Sequence, residues 1–356
     1  MKKLRFHKRQ IWPLSLGAVF ALFFSLHKNA RAMNAVWWDI VFPLERGLAR
    51  LNAHTTVSVA EVLIISLGAA VFFGTVNAIR RRQWKRLISV LLGTGLTVYA
   101  GFCLLWGTAY YADGFQEQSG LQARGGTVEE LREVTEYFAR RTAEYASCVS
   151  RDASGVFAVS RAEIFSGAPD AYEAAEREFP CLYRAPIVPK GFVSSRALSA
   201  LDFTGFYFPF TGESNLNVDS PRCDLPFTIA HELAHQRGIA SEQECNFLGL
   251  LASLSSPSAA YRYSGWLSGY VYAANALYRA DHDAWKAIRD SLPETVRRDL
   301  SYMNWYWAQF EGPVNDAATN IYDSFLKSQG DQRGVQSYGT VVDLMIAYYL
   351  DVHPIG

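Results

Sequence analysis

Asp224-Leu-Pro-Phe-Thr-Ile-Ala-His231-Glu232-Leu-Ala-His235-Gln-Arg-Gly238 sets a helix, a catalytic-looking triplet and a stop signal in fifteen consecutive residues. Pro226 suits a first helical turn, and Asp224 before it is placed to cap. Phe227, Ala230, Leu233 and Ala234 recur at helical spacing and give the helix a buried side. His231 and His235, four apart, then share one face one turn apart. Two imidazoles so placed can bind one zinc ion, with Glu232 beside them as general base toward a water that zinc activates. Gly238 ends the helix, and Ser241 opens the next as the first member of a Ser241…Glu244 capping box.

Catalytic zinc usually takes three protein ligands and leaves one position open. The capping box gives Glu244 a structural task, so Glu242 is the preferred third ligand and Glu244 the alternative. Asn246, one turn beyond Glu242, is a candidate to orient a ligand histidine. Gly238 falls where the metzincin pattern has its glycine, but Ser241 stands where that pattern needs a third histidine, which disfavours a metzincin. Arg237, Tyr207 and His353 are candidate oxyanion stabilisers, and spacing does not choose among them. His7, His27, His54 and His282 have no partner at ligand spacing.

Working outward, the 356 residues divide in character. Half are hydrophobic, and the 34 basic side chains balance the 34 acidic ones, so no global field points to nucleic acid. The first third holds three apolar runs, about 11–26, 56–79 and 87–110, each read as a transmembrane helix. Lys2, Lys3, Arg5, Lys8 and Arg9 precede the first, and Arg80, Arg81, Arg82, Lys85 and Arg86 join the second to the third. The positive-inside rule places both clusters, and the N-terminus, in the cytoplasm. The segment 27–55 and everything after Tyr111 then lie outside, with Trp106, Tyr110 and Tyr111 at the outer interface. A rival reading takes the first run as a signal peptide with Ala30-Arg31-Ala32 as cleavage site. Glu61 reads as an interfacial residue reaching water.

The expected organisation is therefore a membrane region, 1–111, and an extracytoplasmic domain, 112–356. Asp113–Gly126 reads as a linker. Thr127-Val-Glu-Glu130 is a capping box opening a helix to about Val149, and Ala171–Phe179 is a further short helix. Phe203–Val218 reads as extended, a strand and a turn, because glycine and proline interrupt its aromatics. Glu213, Asn215 and Asn217 there are candidates to line a substrate cleft, with a covering loop as the rival reading. Helices follow near 258–279, 283–291, 293–310 and 313–328. The fold class expected is mainly α, with a small β element. Cys148, Cys181, Cys223 and Cys245 suit either two bridges, in three possible pairings, or free buried thiols.

The stretches Tyr207–Glu213 (YFPFTGE), His231–Ala240 (HELAHQRGIA) and Glu242–Phe247 (EQECNF), with Ser337-Tyr338-Gly339 and Val341–Leu344, resemble an uncharacterised family of bacterial membrane proteins. That family is a domain of unknown function with predicted metallopeptidase character, and the resemblance implies an α-rich, zincin-like domain behind the spans. A weaker likeness reaches the gluzincin membrane peptidases, whose E-x-x-x-D supplies the third ligand. Glu242 to Asn246 matches it with Asn for Asp, over a shorter gap from His235 and with Cys245 where Ala is common. The function expected is a membrane-anchored zinc metallopeptidase, its partners the lipid bilayer and a peptide or protein substrate. The alternative is a non-catalytic sensor or scaffold keeping a structural zinc, a site that would have no need of a base at Glu232. An intramembrane protease is disfavoured by the distance from the last span, and a transporter by the lack of charge within the spans.

Overall fold

The computed structural model describes residues 8–185, 187–328 and 338–355, and the chain is mainly helical. Lys2, Lys3, Arg5, His7 and Ser337, used in the sequence reading, lie outside the described residues. The chain divides into two compact units, Met1–Asp113 with Phe208–Glu213, and Gly114–Tyr207 with Ser214–Gly356.

The first unit begins with α1 (Lys8–Leu26), α2 (Ala30–Val36) and α3 (Phe42–Asn52), followed by the longer α4 (Val59–Arg80) and α5 (Trp84–Phe102). Among the described residues two helices are long and apolar enough to cross a membrane, Val59–Arg80 and Trp84–Gly107. Their apolar side chains are largely exposed, Phe72 and Phe73 by 63% and 67%, as lipid-facing residues would be. This corrects the expectation of three spans. The first apolar run, Trp12–Leu26, falls short of the roughly 20 residues that cross a hydrocarbon core. The segment 27–55 is largely helical, since α2 and α3 occupy most of it. Arg81 to Gln83 turn α4 into α5, with Arg82 in the left-handed region at φ 53°. Glu61, expected to reach water, is buried at 3% exposure in the first turn of α4.

The amides at the start of α4 have definite partners. Ser58 Oγ accepts from the Glu61 N–H at 2.9 Å. The Glu213 carboxylate accepts from Val59 and Ala60 at 3.2 and 2.8 Å. A charged carboxylate at a helix N-terminus satisfies free donors and opposes the macrodipole.

The second unit opens with α6 (Phe115–Ser119), where a linker was expected, and α7 (Val128–Tyr145). The Thr127/Glu130 capping box forms as read, and α7 stops at Tyr145 rather than Val149. Next come α8 (Arg161–Ser166), α9 (Glu173–Glu178), β1 (Lys190–Phe192) and α10 (Ser195–Ala200). The aromatic stretch after them forms two strands, β2 (Gly205–Phe208) and β3 (Glu213–Asn217). β1 pairs parallel to β3, with Lys190 opposite Asn215, and the sheet order is β1-β3-β2. β3 is buried along its length, and β2 is an edge.

Helices α11 (Leu225–His235), α12 (Glu242–Ser255) and α13 (Ala259–Ala280) pack on one another, and α7 lies against α13. Gly269 admits that close crossing, because a Cβ there would stand 2.2 Å from the Phe138 ring. Phe138, Ile229, Leu233, Phe247 and Trp266 are buried in this core. The chain continues through α14 (His282–Ser291), α15 (Glu294–Ala308), α16 (Pro313–Ser328) and α17 (Tyr338–Ile346). All five cysteines are free, with Cys148 exposed and Cys223 and Cys245 buried, so the thiol reading replaces the bridged one.

Candidate metal centre

Local sequence sets both ends of α11. Pro226 occupies its first turn, and Gly238, at φ 93°, turns the chain out of it. Asp224 precedes the helix without capping it, because its carboxylate bonds Ser268 instead. Two hydroxyls clamp the helix backbone: Tyr172 donates to the Ala230 carbonyl at 2.8 Å and Ser214 to the Glu232 carbonyl at 2.9 Å. The rings of His231 and His235 sit on one face with centroids 4.9 Å apart. Gly249 lets α12 approach closely, since a Cβ there would meet the His231 backbone nitrogen at 3.1 Å.

That approach brings the first turn of α12 to the imidazoles. Glu242 Oε2 lies 3.3 Å from His231 Nε2, and Oε1 lies 3.7 Å from His235 Nε2. One donor atom from each of the three residues falls within 4.8 Å of the others, so the set could hold a metal ion. Ligand atoms about a tetrahedral zinc, at bonds of 2.0–2.2 Å, stand roughly 3.3–3.6 Å apart. The 3.3 Å spacing of His231 Nε2 and Glu242 Oε2 falls within that range. His235 Nδ1 lies 2.8 Å from the Ile239 carbonyl, to which it can donate, leaving the Nε2 lone pair for a metal. Cys245 Sγ packs 3.3 Å from the same ring nitrogen. The orienting role suggested for Asn246 thus falls, for His235, to the Ile239 carbonyl. The hydroxyl of Tyr322 on α16 donates to Glu242 Oε1 at 2.7 Å.

Charge is tightly managed here. Burial raises the Glu232 carboxyl to about 7, against the pull of His231 and His235. Glu232 is 2% exposed, and its Oε2 has no hydrogen-bond partner among the described residues. Burial works against ionising Glu242 too, but the two imidazoles outweigh it and hold that carboxyl well below its usual range. Burial disfavours a charged His235, and Cys245 and Glu242 reverse the balance, so its pKa is raised. Across from Glu232 lies β2: a Cβ on Gly205 would stand 2.8 Å from Glu232 Oε1.

Glu244 is engaged elsewhere. Its carboxylate accepts from the backbone N–H of Phe115 and Gln116 at 2.8 and 3.0 Å, holding the start of α6. Ser241 accepts from the Glu244 N–H at 3.5 Å, but the Glu244 side chain does not return to close the box. The three candidate oxyanion stabilisers stand in different surroundings. Arg237 is 4% exposed, bonds Glu176 at 2.7 Å and lies over the Tyr172 ring at 3.7 Å. His353 Nε2 lies 2.9 Å from Glu178 Oε1. Tyr207 stays on β2 two residues from Gly205, on the sheet face that Gly205 turns to Glu232. Of the expected cleft residues, Glu213 caps α4 and Asn217 bonds Ser199 and the Phe203 carbonyl, both at 2.9 Å. Asn215 is fully buried. The sequence reading missed Gly205, Tyr322 and the Ile239 carbonyl, none of which carries a motif.

The family described as "Protein of unknown function (DUF3810)" matches residues 41–346, which takes in both long apolar helices and every residue of the candidate centre. No curated protein and no solved structure matches the chain.

Proposed function

We propose that this chain, which belongs to the DUF3810 family, is a membrane-anchored zinc-dependent metallopeptidase that hydrolyses peptide bonds outside the cytoplasm. The observation that carries the reading is the convergence of His231, His235 and Glu242 beside Glu232, buried on the helix of the two histidines, whose Oε2 has no hydrogen-bond partner among the described residues. Two imidazoles and one carboxylate suit a catalytic zinc with an open position better than a closed structural site. The order H-E-x-x-H then Glu is that of gluzincins.

When bound, zinc supplies Lewis acidity toward a water and toward the scissile carbonyl oxygen. Glu232 takes a proton from the attacking water and delivers it to the leaving amine. Its raised pKa suits that double task, because an acid near 7 both accepts and returns a proton at neutral pH. β2, next to Glu232, is at the sheet's edge, the position at which an extended peptide would add as a further strand. Tyr207, on the face turned to Glu232, is the candidate oxyanion stabiliser nearest the base in the sheet. The exposed basic residues Arg80, Arg81, Arg82, Lys85 and Arg86 at the α4–α5 turn support a cytoplasmic turn and an extracytoplasmic second unit.

The test is metal content and peptide hydrolysis of the detergent-purified protein, its Glu232→Gln variant and its His231→Ala variant. A peptidase retains about one zinc in the first two, loses it in the third, and loses hydrolysis in both variants. Equal zinc with no hydrolysis by wild type on a broad peptide library would favour the sensor or scaffold reading. Absence of zinc from wild type would sink both.

A further inference from the structure

We infer that Tyr322 is a positioning residue for the centre: its phenol holds one oxygen of Glu242 so that the carboxylate offers a metal only the other. This rests on the assignment of His231, His235 and Glu242 as ligands. A glutamate can bind a metal through one oxygen or both. Binding through both takes a coordination position that hydrolysis needs for water and substrate. Here the two oxygens are already distinguished. Oε2 is the nearer to an imidazole, 3.3 Å from His231 Nε2. Oε1 stands farther from His235 Nε2, at 3.7 Å, and accepts the Tyr322 O–H at 2.7 Å. A hydroxyl bound to a charged carboxylate makes one of the stronger neutral–ionic hydrogen bonds, so it competes well for that oxygen.

The helix that carries Tyr322 is built to deliver it. Leu326, one turn on, is 2% exposed, whereas Ile321 on the opposite side is 71% exposed. The Tyr322 ring meets Phe203 edge-on, with centroids 5.4 Å apart at 75°. Two turns back, Asn315 hydrogen-bonds Asp202, which holds the left-handed conformation, φ 64°, at the turn before β2. The 202–203 turn therefore fixes α16 at two points and aims the hydroxyl at Glu242, 80 residues away in sequence. A tyrosine kept only for packing would use its ring and leave its hydroxyl to water.

Tyr322→Phe keeps the ring and removes the hydroxyl. The experiment uses the full-length protein in detergent, with zinc affinity measured by chelator competition and coordination read from the visible spectrum of the cobalt(II) form. The expected result is zinc binding weaker by about 10- to 100-fold, and a loss of cobalt absorption intensity as a second carboxylate oxygen enters. kcat should fall with KM little changed. The melting temperature of the metal-free variant should match that of metal-free wild type, which separates this outcome from general damage. Wild-type affinity and spectrum in a folded variant would overturn the inference while leaving the metal site intact. A wild-type protein that binds no zinc would instead remove the assignment on which it stands.

Discussion

Gly205→Ala tests the proposed base without altering any ligand. The added methyl would lie 2.8 Å from Glu232 Oε1, 2.9 Å from Glu232 Cγ and 3.1 Å from the Asn215 carbonyl. Ordinary contact begins near 3.4 Å, so the carboxylate must retreat by about 0.6 Å. The backbone offers little relief, because Ser214 holds the Glu232 carbonyl at 2.9 Å and Asn215 sits on the buried central strand. Overpacking of this kind costs about 1–3 kcal/mol in stability. Misplacing a catalytic group by a fraction of an ångström to an ångström costs about 10- to 100-fold in rate. None of the three closest contacts involves His231, His235 or Glu242, so zinc content should stay at the wild-type value. The assay is kcat/KM on a cleavable peptide, with metal analysis and a thermal melt on the same preparation. A double variant with Glu232→Gln should be no slower than Glu232→Gln alone, because both act on one group. A folded, zinc-replete Gly205→Ala protein that cleaves at the wild-type rate would refute the placement of Glu232 as base.

Three further outcomes follow from the packing. Glu176→Gln leaves the Arg237 charge buried without its counter-ion and should destabilise the protein by about 3–5 kcal/mol in a denaturation experiment; adding Arg237→Met should restore most of that loss. Glu213→Ala removes the acceptor for two amides of α4 and should cost about 1–3 kcal/mol, read as a lower melting temperature with zinc affinity unchanged. Burial raises Asp224 from 3.8 to about 6. Its folded pKa exceeds the unfolded one, so the native state holds the extra proton and stability falls as pH rises from about 4 to 6. In the chelator-treated protein, Asp224→Asn should match wild type below pH 4 and exceed it above pH 6, by up to about 3 kcal/mol. A melting curve indifferent to pH across that window would show that Asp224 ionises without cost.

Most of what the sequence made legible was local. The helix of residues 225–235, its proline start and glycine stop, the α7 capping box and the boundaries of α14 to α16 all depend on neighbours a few residues apart. Periodicity carries that information directly. The membrane reading erred where length decides: the run ending at Leu26 is apolar enough but too short. The cleft reading erred at Glu213, whose partners Val59 and Ala60 lie about 150 residues away. Asn217, a cleft candidate with a covering loop as the rival reading, bonds the Phe203 carbonyl.

The choice between Glu242 and Glu244 turns on contacts far apart in sequence. Sequence favoured Glu242 because the capping box was assigned to Glu244. In the fold that box is half made, and Glu244 is occupied for a different reason: it holds the first amides of α6, some 130 residues earlier. Glu242, on the opening turn of α12, meets both imidazoles where Gly249 lets α12 close on α11, and its Oε1 also accepts the Tyr322 O–H. Neither contact has a sequence signature, since each joins helices whose meeting is set by the core. The motif thus names the two histidines and the proposed base on one helix. The proposed third ligand is placed by helix packing and contacted by a phenol from α16, so changes at Gly249 or Tyr322 should alter metal binding while leaving the motif intact.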